Sequence, residues 1–190
     1  MFRDKIYTER LLLRKFTEED IPHIFRIFSD RRVNEFLPWF PLSSLEEAAV
    51  FYRKNYRDTK DFKYAVCLKD SNIPIGYINI SNDESHDLGY GLLEEYWHQG
   101  IISEAAAVII KEAASEGLPY LTATHDVNNP RSGNVMKAVG MKYQYSYEEL
   151  WQPKNFTVIF RLYQINLDGR EGRIYEKYRR LHREVSINLT

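Results

Sequence analysis

The sequence predicts an α/β (α+β) domain in which a mixed sheet of about seven strands is covered by helices. Strand-like and helix-like segments follow one another in the order β-α-α-β-β-β-α-β-α-β-β. With 190 residues, 44% of them hydrophobic, the chain has enough apolar side chains for one substantial core. No internal repeat or low-complexity tract divides the sequence, so one domain is expected.

The charge balance argues against two classes of protein. There are 26 basic and 27 acidic residues, so neither a nucleic-acid-binding protein nor a membrane-surface protein is expected. Residues Met1–Lys5 lack an apolar secretory core, and no apolar run reaches membrane-spanning length, so we expect a soluble, cytoplasmic protein. Cys67 is the single cysteine and is interpreted as a buried thiol, and no metal site is expected.

The first half of the chain is expected to contain two helices and four strands. A strand is expected over residues 6–16, although its three consecutive leucines do not alternate with polar residues. Thr17 resembles an N-cap ahead of apolar residues at helical spacing. Ser43 or Ser44 is expected to cap a second helix that ends near Tyr56. The other three strands are expected over Phe62–Leu68, Ile75–Ile80 and Asp87–Leu93.

The second half centres on an alanine-rich helix over Ser103–Glu116. This helix is apolar nearly all round, so we expect it to be buried against the sheet, and Gly117 to end it. Pro130 sits where the first turn of a helix accepts proline, and that helix is expected to reach about Val139. The remaining strands are expected over Tyr120–His125, Lys142–Leu150 and Thr157–Leu167.

The chain changes character at Gly169. We therefore distinguish a main unit, residues 1–168, from an extension, residues 169–190, within the same structural domain. Glu171–Val185 places apolar residues on one face and mostly basic residues on the other, which predicts an amphipathic helix. Interspersed glutamates favour a salt-bridged solvent face over an RNA-binding surface. The apolar side is expected to dock on this domain or on a second subunit, as in a homodimer.

The segment Tyr96–Ala105 carries the most specific signal. A strand ends, Gly100 permits a turn, and a run of strong helix formers follows at once. This arrangement leaves the first N–H groups of the helix unpaired at the positive end of the helix dipole. Such a helix start is suited to hold a phosphate or pyrophosphate group.

Four segments occur in an order that is typical of one protein family. They are Thr8–Arg14, Leu88–Tyr90, Tyr96–Ala105 and Asn129–Met141. Together they resemble the GNAT superfamily of N-acetyltransferases, in particular its RimJ/RimL-like branch of ribosomal-protein acetyltransferases. The resemblance extends to about Leu167; the family's loop pattern differs here at Trp97 and Ile102, and Ala138 and Met141 also depart from the usual residues.

The resemblance implies the GNAT fold, with a mostly antiparallel sheet, and acetyl transfer from acetyl-CoA to an amine. The implied mechanism is direct attack in a ternary complex. The implied acceptor is either a protein N-terminal α-amino group or a small-molecule amine, such as a polyamine or an aminoglycoside. A CoA-binding regulatory or interaction module without efficient catalysis is the alternative, because the loop is altered and no base stands out.

The residues expected to bind acetyl-CoA follow from the same resemblance. Backbone N–H groups of one strand would meet the thioester oxygen, loop amides would hold the pyrophosphate, and Ser132 would hydrogen-bond the departing sulfur. Alternatively, Gly89 and Gly91 relieve crowding beside a neighbouring strand, while Asn129 and Ser132 serve as ordinary helix-start groups. The full set is Gly89, Tyr90, Gly91, Leu92, Trp97, His98, Gln99, Gly100, Ile101, Ile102, Ser103, Asn129 and Ser132.

The general base and the acceptor pocket are the least determined parts of the predicted site. His125 is the first candidate base, since an ordinary histidine titrates near neutrality, although a structural histidine is the alternative. The other candidates are Asp87, Glu35, Glu148 and Glu149. The substrate pocket is expected to be walled by aromatic residues, unless these only pack in the core: Phe36, Trp39, Tyr147 and Trp151, with Phe40 beside them.

Overall fold

A computed structural model describes residues 2–186, and the strands within them form two antiparallel sheets. In the first sheet the strands lie side by side in chain order: β1 (Lys5–Tyr7), β2 (Leu11–Arg14), β3 (Phe62–Leu68), β4 (Pro74–Ile80) and β5 (Leu88–Leu92). In the second sheet the spatial order is β6 (Tyr120–Asp126), β8 (Phe156–Asn166), β7 (Lys142–Trp151) and β9 (Arg183–Val185).

The helices of the described chain cover both sheets. They are α1 (Ile21–Ser29), α2 (Arg31–Asn34), α3 (Leu45–Tyr52), α4 (Ile101–Ser115), α5 (Pro130–Ala138) and α6 (Lys177–Leu181). Ser44 caps α3 by accepting a hydrogen bond from the Glu47 N–H at 3.2 Å. Of the two alternatives from the sequence, Ser43 and Ser44, the cap is thus Ser44. After Tyr52 the chain continues as a π-helix over Arg53–Arg57, so the helical segment ends close to the expected Tyr56. None of the helices within residues 2–186 is long and apolar enough to cross a bilayer.

The N-terminal strand predicted over residues 6–16 is two strands joined by a turn. The Thr8 hydroxyl accepts a hydrogen bond from the Leu11 N–H at 2.8 Å and closes this turn. The three leucines that follow are all buried because β2 lies inside a sheet covered on both faces. Leu11 and Leu13 belong to the core beneath α4, and Leu12 to the core beneath α1 and α3.

The two sheets meet at one point and then diverge. Asp87, just before β5, forms an isolated parallel bridge with Thr122 of β6. Beyond this bridge, and within residues 2–186, β5 pairs only with β4, and β6 only with β8, so β5 and β6 open into a V. The single sheet of about seven strands predicted from the sequence is therefore two sheets, and the gap between them positions the site.

The prediction of an amphipathic helix over Glu171–Val185 is wrong. The side chain of Gln164, which is 2% exposed, accepts from the Tyr175 N–H and donates to the Arg173 carbonyl, both at 2.8 Å. These bonds hold the segment extended, so only α6 is helical, and β9 then pairs with β7. Residues 187–190 of the predicted extension lie outside the described residues.

Candidate functional site

A cavity of about 570 Å³ occupies the V between β5 and β6. Its walls come from β5, the loop into α4, the start of α5, the segment after α2 and the end of β7. It brings together every predicted cofactor residue except Gln99, whose carbonyl instead accepts a hydrogen bond from Arg10 Nη1 at 2.9 Å. The cavity is thus lined by the segments in which the sequence motifs occur.

One end of the cavity is the start of α4. Gly100 precedes the helix with φ +72°, a left-handed conformation that favours glycine, and no side chain caps the first N–H groups. Glu104, which lies in the first turn, is held away by Thr8 Oγ1 at 2.5 Å and Arg10 Nε at 2.7 Å. The amides of residues 101–103 are therefore free to bind an anion, as the sequence predicts.

A cationic side chain stands beside this anion site. The Arg131 guanidinium lies over the Trp97 ring, 4.2 Å from the ring centroid. The Arg32 guanidinium lies farther from the same centroid, at 5.9 Å. Trp97 is held in place because its Nε1 donates to the Leu92 carbonyl at 2.8 Å. Arg32 pairs with Glu94 at 3.0 Å, whereas Arg131 has no ion pair within residues 2–186. Arg131 therefore keeps its charge available to a ligand in the cavity.

The glycines of β5 make room for side chains of β4. A Cβ on Gly91 would lie 2.4 Å from Tyr77 Cε1, and one on Gly89 would lie 3.0 Å from the Asn79 side chain. The crowding interpretation thus has a structural basis at both positions. The same two glycines line the cavity, so the backbone edge of β5 stays open to a ligand.

Ser132 and Tyr90 form a hydrogen-bonded pair in the middle of the cavity wall. Ser132 Oγ donates to Tyr90 Oη at 3.0 Å, and Tyr90 Oη donates to the Ser132 carbonyl at 2.8 Å. Burial raises the pKa of Tyr90 well above its usual value, so the phenol stays protonated at neutral pH. Asn129 caps α5 by accepting from the Ser132 N–H at 3.4 Å. Tyr90 was expected from the sequence to bind cofactor, and the hydroxyl pair adds a proton donor.

His125 lines the cavity on the side of α5, with its ring packed against Gly133. Alternation along β6 places Thr122, Thr124 and Asp126 on one face and His125 on the face covered by α5. Its Nδ1 lies 2.8 Å from the Asp126 carbonyl, and its buried Nε2 has no partner in the described chain and sits where a Cβ on Gly133 would be 2.6 Å away. Burial lowers the pKa of His125.

Asp87 lies at the apex of the V and lines the cavity. Its backbone N–H donates to Ser81 Oγ at 2.8 Å, and Thr122 Oγ1 lies 3.4 Å from its carboxyl Oδ1. The residue keeps some exposed surface, but its carboxyl is surrounded by protein, and this burial raises the pKa of Asp87 to about 7. A carboxyl with such a pKa can accept a proton at neutral pH.

Three of the four predicted acceptor-pocket residues line the cavity, namely Phe36, Trp39 and Trp151. Tyr147 does not line the cavity: it is 2% exposed and stacks on Tyr178 at 5.1 Å. Several other lining residues were not singled out from the sequence: Thr124, Asn79, Tyr96, Asn134 and Arg32. Strand alternation is a signal that could have found Thr124 and Asn79.

Comparison with known proteins gives the same result at sequence and fold level. The acetyltransferase (GNAT) domain profile matches residues 10–142. The uncharacterised N-acetyltransferase YnaD of Bacillus subtilis (strain 168) is 31% identical over 141 residues, covering 72% of this chain and 82% of its own. A GNAT-family acetyltransferase from Bacillus anthracis superposes with a TM-score of 0.76 at 26% identity, covering 86% of this chain and 99% of its own. Ribosomal-protein-S5-alanine acetyltransferase from Vibrio fischeri shares the fold, with a TM-score of 0.68 at 21% identity and coverages of 87% and 97%.

Proposed function

The chain belongs to the GNAT family of N-acetyltransferases, and we propose that it transfers the acetyl group of acetyl-CoA to a primary amine by direct attack in a ternary complex. The observation that carries this proposal is the single cavity that joins the free start of α4 to the carboxyl of Asp87. An anion site at one end and a base at the other are what acyl transfer from a phosphorylated thioester to an amine requires.

The residues at the cofactor end fit acetyl-CoA, which GNAT acetyltransferases use. When bound, acetyl-CoA supplies an acetyl group that is activated as a thioester. The amides of residues 101–103 and the Arg131 guanidinium would hold its pyrophosphate. The edge of β5 that faces the V has no strand partner beyond the Asp87 bridge in the described chain, so its N–H and C=O groups can bind the amides of the pantetheine arm.

Asp87 is the residue that we propose as the general base. It accepts the proton that the amine loses as the amine nitrogen bonds to the acetyl carbon. Its pKa of about 7 suits this role, since a fully ionised carboxylate of ordinary pKa would be a weaker base. His125, the first candidate from the sequence, is less suited because its ring is turned toward α5 and Gly133.

Ser132 and Tyr90 would serve the leaving group. Their hydroxyls donate to the sulfur, so that the charge that develops as the C–S bond breaks is stabilised. The 3.0 Å contact between these two hydroxyls supports the proposal, because it brings both donors to the same part of the cavity wall.

The acceptor is proposed to be an amine with an apolar neighbouring group. Phe36, Trp39 and Trp151 wall the acceptor end, where Asp87 and Asp126 are the carboxylates that line it. Of the two acceptor classes, we favour a protein N-terminal α-amino group, because the opening segment Thr8–Arg14 resembles the RimJ/RimL-like branch. A cytoplasmic location and a homodimer stay predictions.

CoA release against a panel of amines tests the proposed function. The panel contains N-terminal peptides that begin with apolar residues, spermidine and an aminoglycoside, and release of free thiol reports turnover. We expect release with the peptides and little with the polycations. Calorimetric acetyl-CoA binding without release from any acceptor would contradict acetyl transfer and favour a binding module.

A further inference from the structure

The C-terminal strap, residues 175–185, docks on the second sheet. The Tyr145 hydroxyl donates to the Tyr175 carbonyl at 2.6 Å, and β9 pairs with residues 146–148 of β7. Tyr147 is enclosed between the rings of Tyr178 at 5.1 Å and His182 at 5.3 Å. The strap therefore covers the face of the sheet on which Tyr147 lies.

That face is also the face of the acceptor end of the cavity. Tyr147 pairs with Phe160, and Phe160 pairs with Asp126, so the three share one side of the second sheet. Thr122 lies on the same side of β6, and its hydroxyl contacts the Asp87 carboxylate at 3.4 Å. The rings of the strap thus pack next to the apex of the V.

The strap also holds the loop that carries Asp87. Lys177 Nζ pairs with Glu84 Oε1 at 2.5 Å, and the Tyr178 hydroxyl lies close to the side chain of Ser85 and to Asp87. From the other side, the Thr122 hydroxyl donates to the Ser85 carbonyl at 2.9 Å. The loop is therefore held between β6 and the strap, two residues before Asp87.

We propose that the C-terminal strap is part of the active site, and that Tyr178 is a positioning residue that fixes Asp87 and keeps water from its carboxyl. This inference rests on the proposed function, in which Asp87 is the base. Lys177 contributes by anchoring the loop through Glu84. The strap lies outside residues 10–142, which the GNAT domain profile matches.

The groups that face Asp87 determine the direction of the expected effect. They are Asp83 in its own loop, Tyr90 on β5, Thr122 on β6, Tyr147 on β7 and Tyr178 on the strap. Burial among these groups is the main cause of the raised pKa of Asp87. Water admitted by loss of the Tyr178 ring would solvate the carboxylate and lower that pKa.

The test compares Tyr178→Ala with Tyr178→Phe, and uses Leu181→Ala as a matched control because Leu181 is on the same strap but 65% exposed. The readouts are kcat/KM for the best acceptor against pH, acetyl-CoA affinity and melting temperature. For Tyr178→Ala we expect the acid limb of the kcat/KM profile to move to lower pH by about one unit. We also expect kcat to fall about tenfold, with acetyl-CoA affinity unchanged. Tyr178→Phe keeps the ring, so its acid limb should stay at the native pH. Leu181→Ala should match the native protein in all three readouts.

An acid limb that stays in place in Tyr178→Ala, or that moves equally in Leu181→Ala, overturns the inference. If Tyr178→Ala melts below the assay temperature, Lys177→Ala replaces it, since it leaves the rings intact and frees Glu84. A smaller shift of the acid limb to lower pH in Lys177→Ala supports the proposed role of the strap. A native pH profile in this variant overturns it. Failure of the proposed function looks different: the native protein then transfers no acetyl group, or Asp87→Asn leaves the acid limb in place.

Discussion

Which way a side chain points on β5 and β6 decides what it can do in this site. On β5, Tyr90 faces α5 and Ser132, while Gly89 and Gly91 face the side chains of β4. On β6, Asp126 and His125 both line the cavity, and the His125 ring packs against Gly133 of α5. Adjacent residues of a strand point to opposite faces, so the His125 ring lies toward α5 while Asp126 lies on the face of Thr122 and Thr124.

Asp87→Asn should stabilise the protein at high pH. The pKa of Asp87 is raised from 3.8 to about 7 in the folded chain, so the folded state keeps a proton that the unfolded state loses. The stability this gives is present at low pH and is lost as the pH rises through about 7. The melting temperature of Asp87→Asn should therefore exceed that of the native protein at pH 8, and this gap should shrink toward pH 4.

The exposed Asp70, in the turn after β3, provides the control for that experiment. Asp70→Asn should leave the melting temperature unchanged relative to the native protein across the same pH range. A gap for Asp87→Asn that is constant with pH would show that its carboxyl is not buried as described.

Tyr90→Phe should slow the reaction without weakening cofactor binding. The variant keeps the ring that packs beside α5 but removes the hydroxyl that meets Ser132 Oγ at 3.0 Å. Loss of one donor to a developing charge costs about 100-fold in kcat. Steady-state kinetics should show this fall with the KM for acetyl-CoA unchanged, and the double variant Tyr90→Phe/Ser132→Ala should lose little more, because the two act as a unit. A native kcat in both would remove them from the mechanism.

Among the elements of the proposed site, the start of α4 would bind the phosphate groups and Arg131 of α5 would supply the nearby charge. Arg131→Ala should raise the dissociation constant of acetyl-CoA about tenfold, because one charge-assisted contact to phosphate is lost. Lys137→Ala is the matched control, since Lys137 lies on the exposed side of the same helix. Calorimetry measures both. Equal losses would mean that only the general positive charge of α5 matters.

Elements with strong local signals were predictable from the sequence. Gly100 followed by an alanine-rich run predicts the start of α4, and Asn129-Pro130 predicts the start of α5. The cavity lining around the start of α4 could be predicted for the same reason, because it is formed at the ends of elements with clear local signals. Local patterns determine these features, so no knowledge of distant contacts was needed.

Features that depend on distant contacts could not be predicted. The segment after Gly169 has a helical pattern, yet the Gln164 side chain binds its backbone as a strand would, and overrides that pattern. The base was ambiguous for a related reason, since the environment of Asp87 comes from residues far along the chain. Tyr147 was misplaced because the ring that covers it, Tyr178, belongs to the misassigned extension.

At the scale of the molecule, the two sheets are linked through one bridge at Asp87 and Thr122. A ligand that fills the V above this bridge adds contacts to both sheets, so acetyl-CoA should raise the melting temperature. At a ligand concentration 100 times the dissociation constant, linkage predicts stabilisation of about 2.7 kcal/mol. Differential scanning calorimetry with acetyl-CoA and with desulfo-CoA tests this. Adenosine alone is the control and should have little effect, because the proposed site is built for the phosphates and pantetheine arm.

The pH dependence of acetyl transfer in the native protein and in Asp87→Asn tests the central claim most directly. The native kcat/KM should rise with an acid limb near pH 7, because the carboxylate of Asp87 must be ionised to accept the proton of the amine. Asp87→Asn should lose this limb and about 100-fold or more of kcat, while it binds acetyl-CoA as the native protein does. An unchanged limb and rate in Asp87→Asn would contradict the account, and would place the base elsewhere in the cavity.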